Sequence, residues 1–335
     1  MQIGVSYYGN RILKHVKSDM RELKQNGFTF VLHTYSEFDL MFNSGTMKEI
    51  FKITHDEGLD VWVNPWGVGN VFGGEPFSNF ASKNIFNSCQ ILDDDKPTPI
   101  ACPNSPDFNK FMDSWIEMIV NSGVDEILWD EPHFHEQGFL ASVPGRWGCR
   151  CEYCKSKFEE EFSYPLPETE TDDVKLFKKN CLFHFIARLS EKASNGGVRN
   201  TLYLTANINV ELMEKEWNKY FNINSIDTIS TGPYWIWEKA TVKKVADFSK
   251  ALHELTLKKN KQSQIWIQGF KITDGREHEV SEAISCAINA GIENIAIWGY
   301  EGSSQESWLA CDNPKKVWET VLNSIPKTIL KINKL

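Results

Sequence analysis

One grammar repeats along this chain: an amphipathic stretch, a glycine, then a short apolar run. Gly27 precedes FTFVLHT (28–34), Gly58 precedes LDVWVNP (59–65), Gly123 precedes VDEILWD (124–130), and Gly291 stands just before ENIAIWG (293–299). Glycine tolerates the left-handed backbone that closes a helix, so each of these marks a helix handing the chain to a strand. IGVSYY (3–8), TLYLTAN (201–207), IDTIST (226–231) and QIWIQGF (264–270) bring the apolar runs to eight. They are mostly continuous and rich in Val, Ile, Thr and Trp, which suits parallel strands buried on both faces. Amphipathic stretches lie between them at 11–26, 44–57, 106–122, 172–194, 237–258 and 276–290. Eight βα units with right-handed crossovers predict an α/β fold, a (β/α)8 TIM barrel forming one domain over 1–335. A doubly wound open sheet is the competing arrangement. No GxGxxG follows the first run, and no GxxxxGK[ST] occurs in the chain.

A typical barrel uses about 250 residues, so the chain has a surplus. It collects at about 66–105 and 131–171, after the third and fourth strands. Both loops fall on the C-terminal face, where barrel enzymes build their sites, and long irregular loops in compact domains are usually functional. The net charge of −9 and the lack of a long Lys/Arg run argue against nucleic acid as a partner. The opening MQIGVSYYGN has no basic stretch followed by an apolar core. No run approaches the roughly 18 apolar residues of a membrane span, so a cytoplasmic location away from membranes is expected. Oligomeric state is not encoded in any feature of the sequence.

Three of the eight cysteines crowd into WGCRCEYCKSKFEEEF: Cys149, Cys151 and Cys154. If a helix starts near Arg150, Cys151 and Cys154 share one of its faces, and Cys149 can fold back from the preceding loop. In a reducing compartment, clustered thiols in a polar segment read as metal ligands rather than disulfides. Tetrahedral zinc needs a fourth ligand. Cys102, in IACPNSPDF, lies just before the third helix and is the first choice, with Cys89 and His133 as competitors. Such an all-cysteine shell would be closed, hence structural, and would tie the third and fourth loops together. Cys181 and Cys286 sit inside amphipathic helices and read as ordinary buried thiols.

ILWDEPHFHE (127–136) sets two carboxylates, Asp130 and Glu131, directly behind an apolar run. Carboxylates at the mouth of a buried strand are costly unless used. Adjacent strand residues point to opposite faces, so a regular strand would send the two carboxyls apart, and a second reacting carboxyl would come from elsewhere. The acids at the other strand ends are Glu37, Glu75, Glu238, Asp274 and Glu301. Glu301 ranks first because it directly follows Trp298 and Tyr300; Asp274 ranks second. Trp66, Tyr234, Trp235, Trp298 and Tyr300 lie at strand ends, where flat rings suit the C–H faces of a sugar. Trp62 and Trp266 lie inside strands and read as core. His33, Asn64 and Asn207 end strands two, three and five, as hydroxyl-binding groups or caps. His133 and His135 with Asp130 and Glu131 also raise the alternative of a catalytic metal, although their spacing is not the helical HExxH signature.

ACPNSPDF, then an acid at the end of strand four, then CxCxxC resembles the catalytic barrel of family 42 glycoside hydrolases, the bacterial β-galactosidases. The resemblance implies that Cys102, Cys149, Cys151 and Cys154 hold zinc and that Glu131 is the acid/base of a glycosidase. Asp130 stands where that family has Asn, and strand seven ends in Gln268 where it has its nucleophilic Glu. The resemblance is concentrated in about 100–160. The adjacent Asp-Glu pair is also similar to that of family 20 hexosaminidases, where the Glu is the acid and the Asp orients an acetamido group of the substrate. The expectation is therefore a glycoside hydrolase acting on a carbohydrate. The alternatives are a substrate-assisted glycosidase using Asp130 and Glu131, a carbohydrate-binding barrel without catalysis, and a metal-dependent hydrolase.

Overall fold

A computed structural model of the chain describes residues 1–135 and 145–332. The strands are β1 (Gln2–Tyr7), β2 (Phe30–Thr34), β3 (Asp60–Asn64), β4 (Cys89–Ile91), β5 (Pro97–Ala101), β6 (Glu126–Trp129), β7 (Arg199–Tyr203), β8 (Thr228–Thr231), β9 (Gln262–Gln268) and β10 (Asn294–Trp298). The eight apolar runs of the sequence close into a barrel in the order β1-β10-β9-β8-β7-β6-β3-β2, with every neighbouring pair parallel. The antiparallel hairpin β4–β5 stands apart, inside the first long loop.

The outer layer is built from α1 (Leu13–Gln25), α2 (Glu37–Phe42), α3 (Ser44–Asp56), α4 (Asn79–Lys83), α5 (Pro106–Val120), α6 (Glu152–Phe162), α7 (Asp172–Asn195), α8 (Met213–Trp217), α9 (Lys243–Lys259), α10 (His278–Asn289) and α11 (Pro314–Ile332). The helix expected from 237 begins only at Lys243. Residues 236 and 237 instead turn over the barrel mouth, because the Gln268 side chain accepts both of their amides, and Lys239 has a left-handed φ of 55°. None of the described helices is long and apolar enough to cross a membrane. The stretch 136–144 of the second long loop lies outside the described residues.

Strand alternation sorts the core into two layers. Phe30, Leu32, Trp62, Leu128, Tyr203, Trp266 and Ala296 fill the barrel interior, with Tyr234 and Trp298 closing its upper end. Val31, Val61, Val63, Ile127, Ile229, Ile265, Ile267, Ile295 and Ile297 face outward into the helices. The interior admits the Phe30 ring, stacked on Trp62 at 4.0 Å between centroids, because β1 carries a glycine there. A methyl on Gly4 would come within 2.1 Å of that ring. Polar groups line the lower barrel in matched pairs: Thr201 donates to Glu126, Ser230 Oγ donates to Gln264 Oε1 at 2.9 Å, and Arg199 pairs with Glu126 at 3.2 Å. The interior is a packed core, so ligand chemistry is left to the mouth.

Candidate active site

The mouth is organised by the end of β6. Asp130 continues the inward set and is 7% exposed; Asn64 Nδ2 donates to its Oδ2 at 2.9 Å. At Glu131 the backbone turns left-handed, with φ of 44°, a conformation costly for a residue with a Cβ. Three bonds hold the turn. The Gly73 amide donates to the Asp130 carbonyl at 3.0 Å, His133 Nδ1 bonds the Glu131 carbonyl at 2.7 Å, and the His133 amide donates to the Val71 carbonyl at 2.9 Å.

The turn corrects the expectation that the two carboxyls part. A methyl on Gly73 would lie 3.3 Å from Glu131 Oε2 and 3.4 Å from Asp130 Oδ2, so both groups flank that glycine. Burial pushes the Asp130 carboxyl up to about 7, against the pull of the Asn64 hydrogen bond and with help from the charge of Glu75. Burial, followed by the charges of Asp130, Glu75 and Glu238, pushes Glu131 up to about 8. Glu131 is therefore a proton donor at neutral pH, the state a general acid requires.

Glu75 is the third acid here. It emerges from the loop after β3, beside Trp66 and near Tyr8 and Glu306, and its burial raises its carboxyl. Aromatic rings complete the mouth. Tyr8 lies 5.8 Å from Trp66 and 6.2 Å from Trp298, and Trp298 meets Trp266 edge-on at 5.4 Å. On the other side Tyr234 packs on Phe270 at 5.0 Å, Trp237 on Phe270 at 5.9 Å, and Trp237 on Trp308 at 6.3 Å. Tyr203 and Tyr234 converge on Gly232, where a methyl would come 2.5 Å from the Tyr203 hydroxyl and 2.4 Å from the Tyr234 ring. Burial, with the charges of Asp130 and Glu131 adding, keeps both phenols protonated. Four buried polar atoms of the mouth lack a hydrogen-bond partner of ordinary geometry: Tyr8 Oη, Asn64 Oδ1, Trp66 Nε1 and Glu75 Oε2. Trp66 stands beside Glu75 and Ser303 beside Tyr8, each pulling its partner's acidity back against burial, so the mouth gathers polar groups whose hydrogen bonds are incompletely made.

The structure gathers Asn64, Trp66, Asp130, Glu131, Tyr234 and Trp298 of the sequence-derived set and sends the others elsewhere. His33 faces the helix layer, sharing a 2.9 Å hydrogen bond with Thr54, and burial drives its imidazole down to about 3. Trp235 is fully buried, with its indole donating to Glu279 at 2.6 Å. Tyr300 is packed between Tyr7 and Trp318. Asn207 is exposed and accepts a bond from Thr205 at 2.8 Å. Glu301, ranked first as the second carboxyl, is exposed and lies near Asp19 and Glu22 of α1 rather than among the charges acting on Glu131. Its backbone, with φ of 46°, breaks the strand alternation that the sequence argument assumed. Asp274 is exposed. Glu37 accepts the Gly69 and Phe80 amides and the Ser78 hydroxyl, which makes it a loop staple. Glu238 pairs with Lys244. Gln268 is spent on backbone, accepting the Ile236 and Trp237 amides at 3.0 and 3.3 Å and donating to the Phe270 carbonyl at 2.9 Å.

Sequence reasoning passed over Tyr8, Gly73, Tyr203, Phe270 and Trp308. Alternation along β1 and β7 points inward at Tyr8 and Tyr203 and could have found them. Trp308 arrives from a loop with no local signal.

Cys102 follows β5, Cys149 and Cys151 precede α6, and Cys154 lies in its first turn. The Cys102 sulfur lies 3.5 Å from that of Cys154, 3.6 Å from Cys151 and 3.9 Å from Cys149. Four sulfurs placed tetrahedrally at about 2.3 Å from one ion would be about 3.8 Å apart, so the set fits a metal. Asn104 Nδ2 donates to Cys154 Sγ at 3.3 Å, and Lys157 backs the same Asn104 at 3.0 Å, a cationic support suited to thiolates. Among the described residues this is the single group of three or more His, Cys, Asp or Glu whose ligand atoms all lie within 4.8 Å of one another. Asp130, Glu131, His133 and His135 form no such group, and the His135 amide instead donates to Gln90. Cys89 bonds the Ala81 carbonyl, outside the cluster.

No protein-family model matches the chain, and no curated protein matches it. Solved structures match its fold. An endo-1,4-β-mannanase from Rhizomucor miehei superposes with a TM-score of 0.63 at 12% identity, covering 98% of this chain and 95% of that one. An endo-β-1,4-mannanase from Thermotoga petrophila gives 0.59 at 10% identity over 98% and 76%. A D-psicose 3-epimerase from Clostridium cellulolyticum gives 0.51 at 10% identity over 98% and 99%. Glycosidases and an isomerising enzyme thus share this barrel. At such identities the likeness establishes the fold alone, and function has to be argued from the site.

Proposed function

We propose that this protein, a one-domain barrel, hydrolyses glycosidic bonds, with Glu131 as the general acid that protonates the leaving oxygen. The observation that carries this reading is a half-buried carboxyl held protonated to about pH 8 at a barrel mouth walled by Trp66, Tyr8, Trp298 and Tyr234. Rings offer apolar faces to the C–H surfaces of a pyranose, and the incompletely bonded polar atoms of Tyr8, Asn64 and Trp66 offer partners to its hydroxyls. The glycosidases among the fold neighbours are compatible with this reading but do not carry it. The four cysteines are proposed to hold a structural zinc, since an all-thiolate shell leaves no position for substrate.

A second reading is favoured by one observation. Tyr203 and Tyr234 lie in the field of Asp130, and the strand-seven position is the fully engaged amide of Gln268. That arrangement suits an Asp that orients a neighbouring group of the substrate, which then attacks the anomeric carbon itself.

The test is a panel of aryl glycosides, with and without a 2-acetamido group, assayed with wild type and Glu131→Gln, each with and without chelator. Turnover by the wild type is expected to fall by about 10²–10⁴ in Glu131→Gln, most for poor leaving groups, which depend most on the acid. Unchanged turnover would remove the reading. Glycan binding without turnover would point to a binding barrel. Activity lost to chelator while the fold survives would point to a metal-dependent hydrolase.

A further inference from the structure

A hydrolase that uses two carboxyls needs them on opposite sides of the bond it breaks. Asp130 cannot be the distant partner of Glu131, because both flank Gly73. The other acids of this face are otherwise engaged or apart: Glu37 accepts three hydrogen bonds, Glu238 is ion-paired, Asp274 is exposed, and Glu301 is exposed near Asp19 and Glu22. Glu75 is left.

Its placement is specific. The Gly73 amide bonds the Asp130 carbonyl, and the Gly73 carbonyl accepts the Gly67 amide at 2.9 Å. Gly74, with φ of 131°, presses on Trp66 so closely that a methyl there would come 2.1 Å from the indole. This turn delivers Glu75 to the flank formed by Tyr8 and Trp66, where the charge of Glu306 also acts on it. Glu131 lies in the field of Asp130, Glu75 and Glu238, and its own charge acts on Tyr203 and Tyr234. In barrel order, Tyr8 and Glu306 follow the first and eighth strands, whereas Tyr203 and Tyr234 belong to the fifth and the loop after the sixth. Glu75 thus reaches the mouth from the side of Tyr8 and Trp66, close enough for its charge to act on both Asp130 and Glu131. Glu75 Oε2 is buried without a hydrogen bond of ordinary geometry, and the Trp66 side chain beside it pulls the carboxyl down against the effect of burial.

We infer that Glu75 is the second catalytic carboxyl, the base that activates water against the bond Glu131 protonates; this rests on the glycosidase reading. As Glu75 takes one proton from water, the water oxygen bonds to the anomeric carbon. The bond from that carbon to the leaving oxygen breaks, and its electron pair accepts the Glu131 proton. The proton on Glu75 returns to Glu131 through solvent. Attack from the face opposite the leaving group inverts the anomeric carbon.

The experiment uses the full chain and the aryl glycoside that the wild type cleaves fastest. The first product anomer is read by proton NMR. Glu75→Gln and Glu75→Ala are assayed with and without azide, with melting temperatures confirming that both fold. Inversion is expected, with kcat reduced by about 10²-fold or more in both variants at little change in KM, and azide is expected to restore Glu75→Ala as a glycosyl azide of inverted configuration. A retained anomer, which the wild type alone can reveal, would overturn the assignment. So would Glu75→Gln at wild-type rate while Glu131→Gln is inactive, which would favour the substrate-assisted reading. If the wild type cleaves no glycoside, the glycosidase reading falls and the role of Glu75 falls with it.

Discussion

Replacing Glu131 with Gln should make the protein more stable at pH 8 and leave it nearly unchanged at pH 4.5. The folded protein holds the Glu131 carboxyl up at about 8, whereas an unfolded chain ionises it near 4.5. Between those values the unfolded state has released a proton that the native state keeps, so unfolding becomes easier as pH rises. The stability conferred by the protonated group is complete below about 4.5 and is lost as pH climbs through about 8. At about 1.4 kcal/mol per pH unit, the ceiling is about 5 kcal/mol. Glu131 is partly exposed, and Asp130, pushed up to about 7, competes for the same proton. Sharing between coupled acids brings the expected effect nearer to about 2 kcal/mol. Gln has the shape of the neutral acid and never ionises, so it escapes this loss. For 335 residues an unfolding entropy of about 2.1 cal/mol/K per residue gives roughly 0.7 kcal/mol/K, and the gain corresponds to about 3 °C. The assay is thermal unfolding of wild type, Glu131→Gln, Asp130→Asn and the double variant from pH 4.5 to 9. The double variant should gain less than the sum of the singles, because removing either charge relieves the other. A melting difference that does not vary with pH, or a variant less stable than wild type at pH 8, would refute the buried, mutually repelling pair. No substrate is needed.

Four further outcomes follow from the same geometry. Cys151→Ser should abolish a stoichiometric zinc measured by elemental analysis and lower stability by more than about 3 kcal/mol, since a structural metal is part of the folding free energy. Gly73→Ala should cut turnover while melting near the wild-type temperature, because its methyl would sit 3.3–3.4 Å from both carboxylates and displace them. Gln268→Glu should not raise activity; it strips the donor from the Phe270 carbonyl and should cost about 1–3 kcal/mol in denaturant unfolding at pH 7 and less at pH 5, where the new acid can stay protonated. Trp308 is 49% exposed, with Lys271 4.5 Å over its ring, so Trp308→Ala should leave melting unchanged and raise KM for an oligosaccharide about fivefold relative to a single-sugar substrate, the equivalent of about 1 kcal/mol of ring contact.

The sequence made the barrel legible because the signal for each strand is local. A continuous apolar run announces burial on both faces, and a glycine before it announces the end of a helix. The cysteine cluster was legible for the same reason: three of the four cysteines lie within six residues, and the fourth sits in a motif of its own. The site was legible only where strand alternation persists to the strand end, as at Asn64, Asp130 and Trp298. It failed where the backbone turns left-handed. At Glu131 the turn brings together two carboxyls that alternation would separate; at Glu301 it leaves the acid on the surface near α1. Trp235 and Tyr300 failed differently. Both follow strands, but composition cannot tell a ring that lines a mouth from one that plugs the helix layer. His33 is likewise at a strand end, one residue out of phase with the interior.

The two long loops are best understood together. The loop after β3 is bonded at Gly73 to the end of β6, and the loop after β6 is gathered to the β4–β5 hairpin through the cysteines. Each loop thus fixes the other, and neither could place its acids alone: Glu75 depends on a turn pressed against Trp66, and Glu131 depends on a left-handed backbone held by His133 and the neighbouring loop. Burying three acids within one another's field lowers stability at neutral pH, and no ion pair among the described residues offsets it at Asp130, Glu131 or Glu75. A fold whose cysteines can bind a metal as a staple has a local reserve against that cost. On this account the cysteine cluster serves the acids from a distance: it stiffens the loop whose first residue must hold a strained backbone, and replacing one of the cysteines should loosen Glu131 before it unfolds the barrel.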